Sequence, residues 1–536
     1  MKRTILSAAV LSLTTALSTA AYAEYSLTVL HLNDLHSRIE SINKYDSTCD
    51  AESETEGKCF GGIARIKSKL DERRAALDSE GKNVLVVDAG DQFQGSLFYT
   101  TYKGEAAVEF LNGMDIDVMA VGNHEFDDGP EALANFIDKA EFPILSGNID
   151  VNADAALKGK VPGVLIVEKG GEKVGIVSAL AEDTVDTSSP GAGVRFIQAE
   201  DYLKGAVEGL EAAGVNKIIA VTHMGLPRDM EIAAAVPGID LIVGGHSHTL
   251  LSNTQEGAAG PYPVIVQNPD GKDVPIVQAY AYGKFLGEID LTWDDDGNLI
   301  KAEGEPILLD ASVEPDEAFL ARVAEFAAPI EELKAKVIGA TDAPIDGDRG
   351  SCRSGECQMG NLVADAMLDR VKDQGVQIAI QNGGGLRASI DGGEVTMGEV
   401  LTVLPFQNTL ATFQLKGADV IAALENGVSQ VEDGKGRFPQ VAGLKYSWTR
   451  KKAPGEGRIL VVEVMEDGAW APIDPEKVYG VVSNNYMRGG GDGYKVFAEN
   501  GMNAYDYGPG LEVVVADFIA ERNGYTPFTD GRITEQ

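Results

Sequence analysis

The chain has 536 residues, of which 44% are hydrophobic and 24% are charged, and its formal net charge is −38. This length exceeds what one hydrophobic core supports, and the composition is that of a globular protein, so two domains are expected. The negative charge argues against a nucleic-acid polymer or an anionic membrane as partner. A small anionic substrate is compatible with it only if metal ions or a few arginines supply positive charge locally.

The first 23 residues have the pattern of a secretory signal peptide. Lys2 and Arg3 precede an apolar stretch over residues 5–17, and Ala21-Tyr22-Ala23 is a small-x-small cleavage pattern. Cleavage is therefore expected before Glu24. The stretch is too short, and too interrupted by Ser and Thr, for a membrane anchor, and no later segment is long and apolar enough to span a bilayer. We expect a soluble protein that is periplasmic or secreted, with no lipid anchor.

Residues 25 to about 310 alternate short apolar runs with helical stretches. The runs include residues 27–30, 84–87, 118–121, 218–221 and 241–243. Near-continuous apolar runs of this kind predict buried strands in a layered α/β fold. Residues 264–266, 276–277 and 289–293 are predicted to be antiparallel strands that close this domain. The acidic segment 294–298 is predicted to be a hairpin turn, because its glycine is misplaced for a calcium loop of the EF-hand type.

Four cysteines form two close pairs, Cys49 with Cys59 and Cys352 with Cys357. In an exported protein such pairs predict local disulfides. A zinc site built from all four is the alternative. Disulfides are favoured over it because neither pair has CxxC spacing and the segment inside the first pair is very polar.

A helix with an apolar face is predicted within residues 311–338, and Pro315 lies near its start. It lies between two halves of different composition, so it is expected to link a domain of residues 24–310 to a second α/β domain of residues 339–536. The second domain is rich in glycine loops.

Five of the six histidines follow the apolar runs, accompanied by carboxylates and an amide. In chain order the segments are Asn33-Asp34-Leu35-His36, Asp88-Ala89-Gly90-Asp91, Gly122-Asn123-His124-Glu125, Thr222-His223 and Gly244-Gly245-His246-Ser247-His248. Side chains at the same ends of adjacent strands converge on one spot of a layered sheet. Imidazole, carboxylate and amide groups are ligands for borderline divalent ions such as Zn, Mn, Fe or Co. Unrelated buried histidines are the alternative, and His31, inside the first run, is assigned to packing.

In this order the segments resemble those of the calcineurin-like metallophosphoesterases. The resemblance implies a layered α/β/β/α domain and two divalent ions, with Zn, Mn, Co and Mg all open. It implies that one ion is held by Asp34, His36, Asp91 and His248, and the other by Asp91, Asn123, His223 and His246. Asp91 would bridge the two ions. His124 and Asp127 would form a dyad that stabilises phosphate and assists the leaving oxygen, although Asp127 could instead be a solvated loop carboxylate beside Asp128.

The second half resembles the 5′-nucleotidases, including ecto-5′-nucleotidase and the periplasmic UDP-sugar hydrolases, and the resemblance covers essentially the whole chain after residue 23. The matching segments are residues 347–353, 382–387, 404–406, 485–486 and 490–493. The resemblance implies that phosphate is held by Arg349, Arg353 and Arg387, that Phe406 and Tyr486 sandwich the base, and that Asn382 and Asp492 contact the base edge and the ribose hydroxyls. It also implies that the bond between Cys352 and Cys357 braces the loop that carries Arg353. Tyr486 departs from the Phe of relatives. Tight turns, a core Phe406 and solvated arginines are the alternatives.

The expected activity is an exported two-metal phosphohydrolase that releases phosphate from nucleoside 5′-monophosphates. Sister activities remain open: 2′,3′-cyclic nucleotide phosphodiesterase with 3′-nucleotidase, or UDP-sugar hydrolase. A thiosulfohydrolase is a more distant alternative, and a catalytically inactive nucleotide-binding surface protein is the alternative outside enzymes. The expected partner is a small nucleotide.

Overall fold

The computed structural model describes residues 24–44, 46, 48–466, 468–522 and 524–536. The predicted signal peptide, residues 1–23, lies outside the described residues. The chain forms two α/β domains, each with its own buried clusters.

The N-terminal domain contains fifteen strands and nine helices among the described residues. The strands are β1 (Tyr25–Leu32), β2 (Asn83–Asp88), β3 (Val118–Ala120), β4 (Ile144–Leu145), β5 (Ile149–Asp150), β6 (Val164–Lys169), β7 (Glu172–Leu180), β8 (Arg195–Phe196), β9 (Ile218–His223), β10 (Leu241–Val243), β11 (Val264–Gln267), β12 (Asp273–Val277), β13 (Phe285–Trp293), β14 (Leu299–Gly304) and β15 (Ile307–Leu308). The helices are α1 (Ala51–Thr55), α2 (Ile63–Ser79), α3 (Leu97–Tyr102), α4 (Glu105–Gly113), α5 (Pro130–Lys139), α6 (Thr184–Thr187), α7 (Ala199–Ala212), α8 (Leu226–Ala235) and α9 (Glu317–Lys334), and His124–Phe126 is a 3₁₀ turn.

Two sheets pack face to face in this domain, with helices on both outer sides. The first has the order β14-β13-β1-β2-β3-β4, with β15 on β13, and the second the order β11-β12-β10-β9-β7-β6. Strand β1 shows how the layers form: Leu27 and Val29 pack between the sheets, whereas Leu30 and Leu32 pack against the helices. Because both faces are buried, apolar residues occur on both of them, with Thr28 and His31 as buried polar exceptions. The predicted α/β/β/α layering is confirmed.

The antiparallel strands, the turn at residues 294–298 and the buried His31 were each predicted from the sequence. Strands β11 and β13 are antiparallel to their neighbours β12 and β1, as predicted. The prediction is incomplete for β12, which is also parallel to β10. Residues 294–298 form the turn between β13 and β14, and the carboxylate of Asp294 accepts bonds from the backbone of Asp296 and Asn298. His31 is fully buried and lies 2.8 Å from the Tyr262 hydroxyl.

Helix α9 begins at Glu317, where the Asp316 side chain accepts a bond from the Phe319 backbone, and contains Pro329. Its residues Val323, Phe326 and Ile330 pack into the helix-side cluster of the N-terminal domain, which also includes Met397 and Ala516 from the C-terminal domain. The helix therefore contacts both domains. Residue Val337, included in the predicted helical segment, instead pairs with Thr396 in a strand.

The C-terminal domain contains eleven strands and seven helices among the described residues. The strands are β16 (Val337–Thr341), β17 (Val376–Asn382), β18 (Gly393–Thr396), β19 (Leu410–Lys416), β20 (Pro439–Ala442), β21 (Leu444–Trp448), β22 (Ile459–Glu466), β23 (Ala469–Pro472), β24 (Val478–Asn484), β25 (Met502–Tyr505) and β26 (Ile533–Glu535). The helices are α10 (Arg349–Cys352), α11 (Gln358–Val371), α12 (Met397–Val403), α13 (Gly417–Gly427), α14 (Asn485–Arg488), α15 (Lys495–Asn500) and α16 (Leu511–Ala520), with 3₁₀ turns at Lys372–Gln374, Gly383–Gly385, Val431–Asp433 and Gly491–Gly493.

The central sheet of this domain has the order β20-β17-β24-β19-β25, and a second sheet has the order β23-β22-β21-β26. Helices α11 and α16 pack on one face of the central sheet, and α13 packs between its other face and the second sheet. Both predicted disulfides are present, Cys49–Cys59 and Cys352–Cys357. Within the described ranges, no helix combines the length and hydropathy needed to cross a bilayer.

Candidate active site

The predicted ligand segments all leave the carboxyl ends of strands in the two facing sheets. Strands β1, β2 and β3 run parallel in one sheet, and β9 and β10 run parallel in the other. Their carboxyl ends therefore meet at one edge of the sandwich. Three overlapping groups of side chains converge there, each with ligand atoms within 4.8 Å of one another: Asp34, His36 and His248 in the first, Asp91, His223 and His246 in the second, and His36, Asp91 and His124 in a third that shares members with both.

Asp91 belongs to the second group and also faces the first. Its Oδ2 atom is 3.0 Å from Nε2 of His223 and 3.7 Å from Nε2 of His36. Its other oxygen accepts a bond from the backbone of His124. One carboxylate oxygen thus faces ligands of both groups, which is the geometry that a bridging ligand requires.

Asn123 faces the second group. Its Oδ1 atom is 2.8 Å from Nδ1 of His246 and 3.2 Å from Nε2 of His223. In the first group, Nε2 of His36 and Nε2 of His248 lie 2.9 Å apart. Lone-pair atoms that face each other in a buried cluster are the arrangement that a cation stabilises, and this donor set of imidazole, carboxylate and amide fits two borderline divalent ions.

The backbone at these positions is unusual. Five of the seven predicted ligands have left-handed backbone angles, with φ of 52° at Asp34, 51° at His36, 61° at Asp91, 75° at His246 and 49° at His248. Residues other than glycine rarely adopt this region, and they do so where the surrounding structure holds them. Gly122 permits the close packing, because a Cβ there would lie 2.2 Å from Oδ1 of Asp91.

Carbonyl oxygens orient two of the histidines. Nδ1 of His36 donates to the Phe93 carbonyl at 3.1 Å, and Nδ1 of His223 donates to the Ala89 carbonyl at 2.7 Å. Both rings therefore direct Nε2 into the cluster, as outer-sphere contacts do in metal sites.

Two buried carboxylates support the site without belonging to the predicted ligand set. Glu125 accepts bonds from the backbone amides of Gly122, Asp91 and Gln92, and so joins two of the ligand loops. Burial raises the pKa of Glu125 to about 7. Asp88 accepts from Gly90 and Gln92, and burial raises its pKa to about 8. Both lie inside the ligand segments, so their positions in the sequence were a signal that could have identified them.

Burial and neighbouring charges shift the pKa values of the carboxylates and imidazoles in this cluster. Burial alone would raise the pKa of the Asp34 carboxyl, but His248 and His223 bring it below its usual value. Burial lowers the pKa of His36 and of His246 to about 3. The carboxylates are therefore anionic and these two imidazoles neutral, which are the forms in which each group binds a metal.

His124 and Asp127 form the predicted pair. Nδ1 of His124 donates to Oδ2 of Asp127 at 2.6 Å, and Asp127 also accepts from the Ser188 hydroxyl at 2.8 Å and from Nε2 of Gln94 at 3.3 Å. Burial alone would lower the pKa of His124, but Asp127 and Asp91 outweigh it and raise the pKa to about 9. Nε2 of His124 is buried and has no hydrogen-bond partner among the described residues.

The predicted nucleotide residues form smaller groups in the C-terminal domain. Nδ2 of Asn382 donates to Asp492 at 2.7 Å, and the Tyr486 hydroxyl donates to Oδ1 of Asp492 at 3.2 Å. The Arg387 guanidinium lies 5.3 Å from the centre of the Phe406 ring.

The three arginines differ in how they are held. Arg387 donates to the Gly384 carbonyl at 3.4 Å, and Arg353 to the Gly434 carbonyl at 3.2 Å. The backbone of Gly384 donates to Gly436, so these segments adjoin. Arg349 is exposed at the first residue of α10, and its side chain makes no hydrogen bond or ion pair within the described ranges.

A residue that sequence reasoning missed lies over the metal-side histidines. The ring of Tyr507, from the C-terminal domain, is 5.0 Å from the His248 ring, 5.7 Å from His246 and 5.9 Å from His124. No pattern in the sequence indicates it, because its position depends on how the two domains pack.

Two protein-family profiles match the chain, "Calcineurin-like phosphoesterase" over residues 27–250 and "5′-nucleotidase, C-terminal domain" over residues 337–499. The 5′-nucleotidase of Homo sapiens is 37% identical over 536 residues, which cover 96% of this chain and 91% of that protein. A 5′-nucleotidase precursor of Thermus thermophilus, solved by crystallography, is similar with a TM-score of 0.61 and 39% identity, covering 95% of this chain and 99% of the other. The NAD nucleotidase of Haemophilus influenzae has a TM-score of 0.78 at 27% identity, covering 96% of this chain and 99% of the other.

Proposed function

Since the chain belongs to the 5′-nucleotidase family, with a calcineurin-like phosphoesterase domain before the family's C-terminal domain, we propose that it is an exported hydrolase of nucleoside 5′-monophosphates that uses two divalent ions. The observation that carries this proposal is the pair of buried ligand groups joined through Oδ2 of Asp91.

Asp34, His36, Asp91 and His248 would hold one ion, and Asp91, Asn123, His223 and His246 the other. When bound, two such ions lower the pKa of a water molecule and offset negative charge on phosphoryl oxygens. The chain's own contribution is to fix the donor atoms. The carbonyl bonds of His36 and His223, and the amide bonds of Glu125, hold the ligand loops before substrate arrives.

His124 would act on the leaving group. Asp127 accepts the Nδ1 proton, which leaves Nε2 as the atom that meets the substrate. When protonated, His124 carries a proton on Nε2 that can hydrogen-bond a phosphoryl oxygen and pass to the nucleoside oxygen as the phosphorus–oxygen bond breaks. The proton lost by the attacking water replaces the one that His124 donates, so the hydrolysis yields nucleoside and phosphate and leaves His124 protonated.

The C-terminal domain would hold the nucleotide. A protein with a net charge of −38 repels phosphate at long range, so Arg349, Arg353 and Arg387 would supply the local positive charge. Phe406 and Tyr486 would stack on the base, and Asn382 and Asp492 would bind the base edge and the ribose. Tyr486 is 48% exposed, which leaves its ring accessible to a base.

Catalysis then requires both domains, because the ion ligands and the nucleotide residues lie on different ones. In this structure the ring over the metal-side histidines is that of Tyr507. Movement of the C-terminal domain about α9 would bring the nucleotide phosphate to the ligand groups, as hinge motions do in other enzymes.

The proposed site of action is outside the cytoplasm. Two disulfides are typical of exported proteins, and residues 1–23 have the pattern of a signal peptide with cleavage before Glu24. Mass spectrometry of the secreted protein would test that cleavage position.

A substrate panel tests the activity. The protein is stripped with a chelator, reloaded separately with Zn, Mn, Co or Mg, and assayed for phosphate release from AMP, 3′-AMP, cyclic AMP and UDP-glucose. We expect no turnover without metal and the highest kcat/KM on AMP. Faster hydrolysis of 3′-AMP or UDP-glucose would replace the 5′-nucleotidase assignment by one of the sister activities, and full turnover of stripped protein would refute the two-metal mechanism.

A further inference from the structure

Tyr507 is attached firmly to the C-terminal domain. The backbone of Gly508 donates to Leu410 at 2.9 Å, and that of Leu410 donates to Pro509 at 3.0 Å. The Tyr505 hydroxyl donates to the Tyr507 carbonyl at 2.9 Å. These bonds fix the segment to strand β19, so Tyr507 moves with its domain.

Besides Tyr505 of its own domain, whose ring centre lies 6.1 Å away, the Tyr507 ring has three aromatic partners among the described residues of the N-terminal domain. Its ring lies 5.0 to 5.9 Å from the centres of His248, His246 and His124. On another side of His248 lies Tyr282, at 5.3 Å and nearly perpendicular. Aromatic rings at these separations are in van der Waals contact, and no phosphate fits between them.

Two polar contacts between the domains join Thr48 and Gln407. The backbone of Thr48 donates to Oε1 of Gln407 at 3.3 Å, and Nε2 of Gln407 donates to the Thr48 hydroxyl at 3.1 Å. Both bonds are exposed to solvent, so they oppose separation only weakly.

We propose that Tyr507 is an internal competitor of phosphate at the metal centre. Its ring covers His246 and His248, which are proposed ion ligands, and His124, whose Nε2 atom would meet the phosphoryl group. Phosphate and the Tyr507 ring therefore exclude each other. The inference rests on the proposed function for the identity of the ligand, a phosphate monoester or inorganic phosphate, but its geometry is independent of which nucleotide is cleaved.

The competition has a direct consequence for binding. Phosphate binds only the fraction of molecules in which Tyr507 has left the histidines, so its apparent affinity falls by that fraction. A nucleotide meets the same cost, but its additional contacts with the C-terminal domain supply free energy that offsets it. Free phosphate has no such contacts, so the ring opposes free phosphate more effectively than a nucleotide.

Calorimetric titration of the metal-loaded full-length protein with inorganic phosphate tests the proposal. Tyr507→Ala removes the ring, and phosphate should bind about three- to tenfold more tightly, which is the range expected for loss of one aromatic contact. Tyr507→Phe keeps the ring and should bind phosphate as the wild type does. Equal affinity in Tyr507→Ala and the wild type overturns the proposal, and so does a Phe variant that behaves like the Ala variant.

The rate at which a chelator removes the ions gives a second measurement without turnover. Tyr507→Ala should lose its ions faster than the wild type, and Trp470→Ala, which removes an aromatic ring 40% exposed on β23, should match the wild type. If the Ala variant does not fold, Tyr507→Leu can be used in its place.

The role of Tyr507 and the nucleotidase activity can be refuted independently. Tighter phosphate binding without AMP hydrolysis would refute only the nucleotidase activity. AMP hydrolysis with unchanged phosphate binding and unchanged ion loss would refute only the role of Tyr507.

Discussion

The two predicted parts of the active site differ in how completely they are built. On the N-terminal domain, Asp34, Asn123 and His223 are 0% exposed, and each of the three is held by neighbours on other strands or loops. On the C-terminal domain, Tyr486 is 48% exposed and Arg349 is solvent-facing.

The difference in burial is consistent with the role proposed for each part. Groups that stabilise developing charge act best when they are fixed before the reaction, because reorganising them would cost free energy during the chemical step. Groups that capture a ligand from solvent must first be accessible to it, and they become ordered on binding. Most metal-side residues are therefore enclosed as in a protein core, whereas most nucleotide-side residues are partly or fully exposed, with the buried Asn382 as the exception.

The largest effect on activity is expected at Asp91, the buried carboxylate that faces ligands of both groups. Asp91→Ala should reduce phosphate release from AMP by more than about 100-fold, since loss of even an outer-sphere partner of a metal ligand costs roughly 10–100-fold. Elemental analysis should show one ion lost and the other bound more weakly. The exposed carboxylate Asp295 provides the control, because Asp295→Ala should retain both ions and full activity. Two tightly bound ions in Asp91→Ala would contradict the bridging assignment.

His124→Ala should affect the chemical step and not the ions. We expect kcat to fall by roughly 10²–10⁴-fold, the usual contribution of a positioned acid or base, at unchanged metal content. Ser188→Ala removes one bond to Asp127 while leaving His124 in place, so its kcat should fall less. If His124→Ala instead loses its ions, His124 is a ligand and the dyad assignment is wrong.

Loss of either proposed base-stacking residue, Phe406 or Tyr486, should have a smaller effect on activity, and only with nucleotide substrates. Phe406→Ala and Tyr486→Ala should each raise KM for AMP by about ten- to a hundredfold, because stacking on a base contributes about 1–3 kcal/mol. Hydrolysis of p-nitrophenyl phosphate, which has no base, is the matched control and should be unchanged. AMP kinetics equal to the wild type in both variants would exclude the base clamp.

The smallest effect on activity is expected from loss of the disulfide between Cys352 and Cys357, which is proposed to stabilise the loop that carries Arg353. Replacing Cys352 and Cys357 together by Ser should lower the free energy of unfolding by about 2 kcal/mol, given a closed loop with a sequence separation of 5. KM for AMP should rise less than in the aromatic variants, because the guanidinium of Arg353 is retained. Chemical denaturation with and without a reductant measures the first quantity, and an increase in kcat without a change in KM would contradict the bracing role.

The sequence predicted the fold where burial dictates residue type. Strand β1 carries apolar residues on both faces because both faces are covered by other parts of the protein. The sequence alone shows this pattern. The ligand segments could be found for the same reason, since each follows such a strand. The parallel pairing of β12 with β10 was missed because a run of this length does not reveal the direction of its neighbour.

Tyr507 could not have been found in this way. It contacts His248 across two domains, and the contact depends on their relative orientation, which no local pattern encodes. Glu125 is a different case: its position within a ligand segment was a signal, but the sequence does not show whether its carboxylate binds backbone amides or faces solvent.

The left-handed backbone at five proposed ligands bears on how the protein acquires its ions. Such angles persist only where the surrounding structure imposes them, and the bonds that Glu125 accepts from the amides of Asp91 and Gly122 are part of that constraint. The protein therefore contributes to the shape of the ligand loops whichever divalent ion they hold. The choice among such ions would then follow their supply and the intrinsic order of affinities among divalent metals.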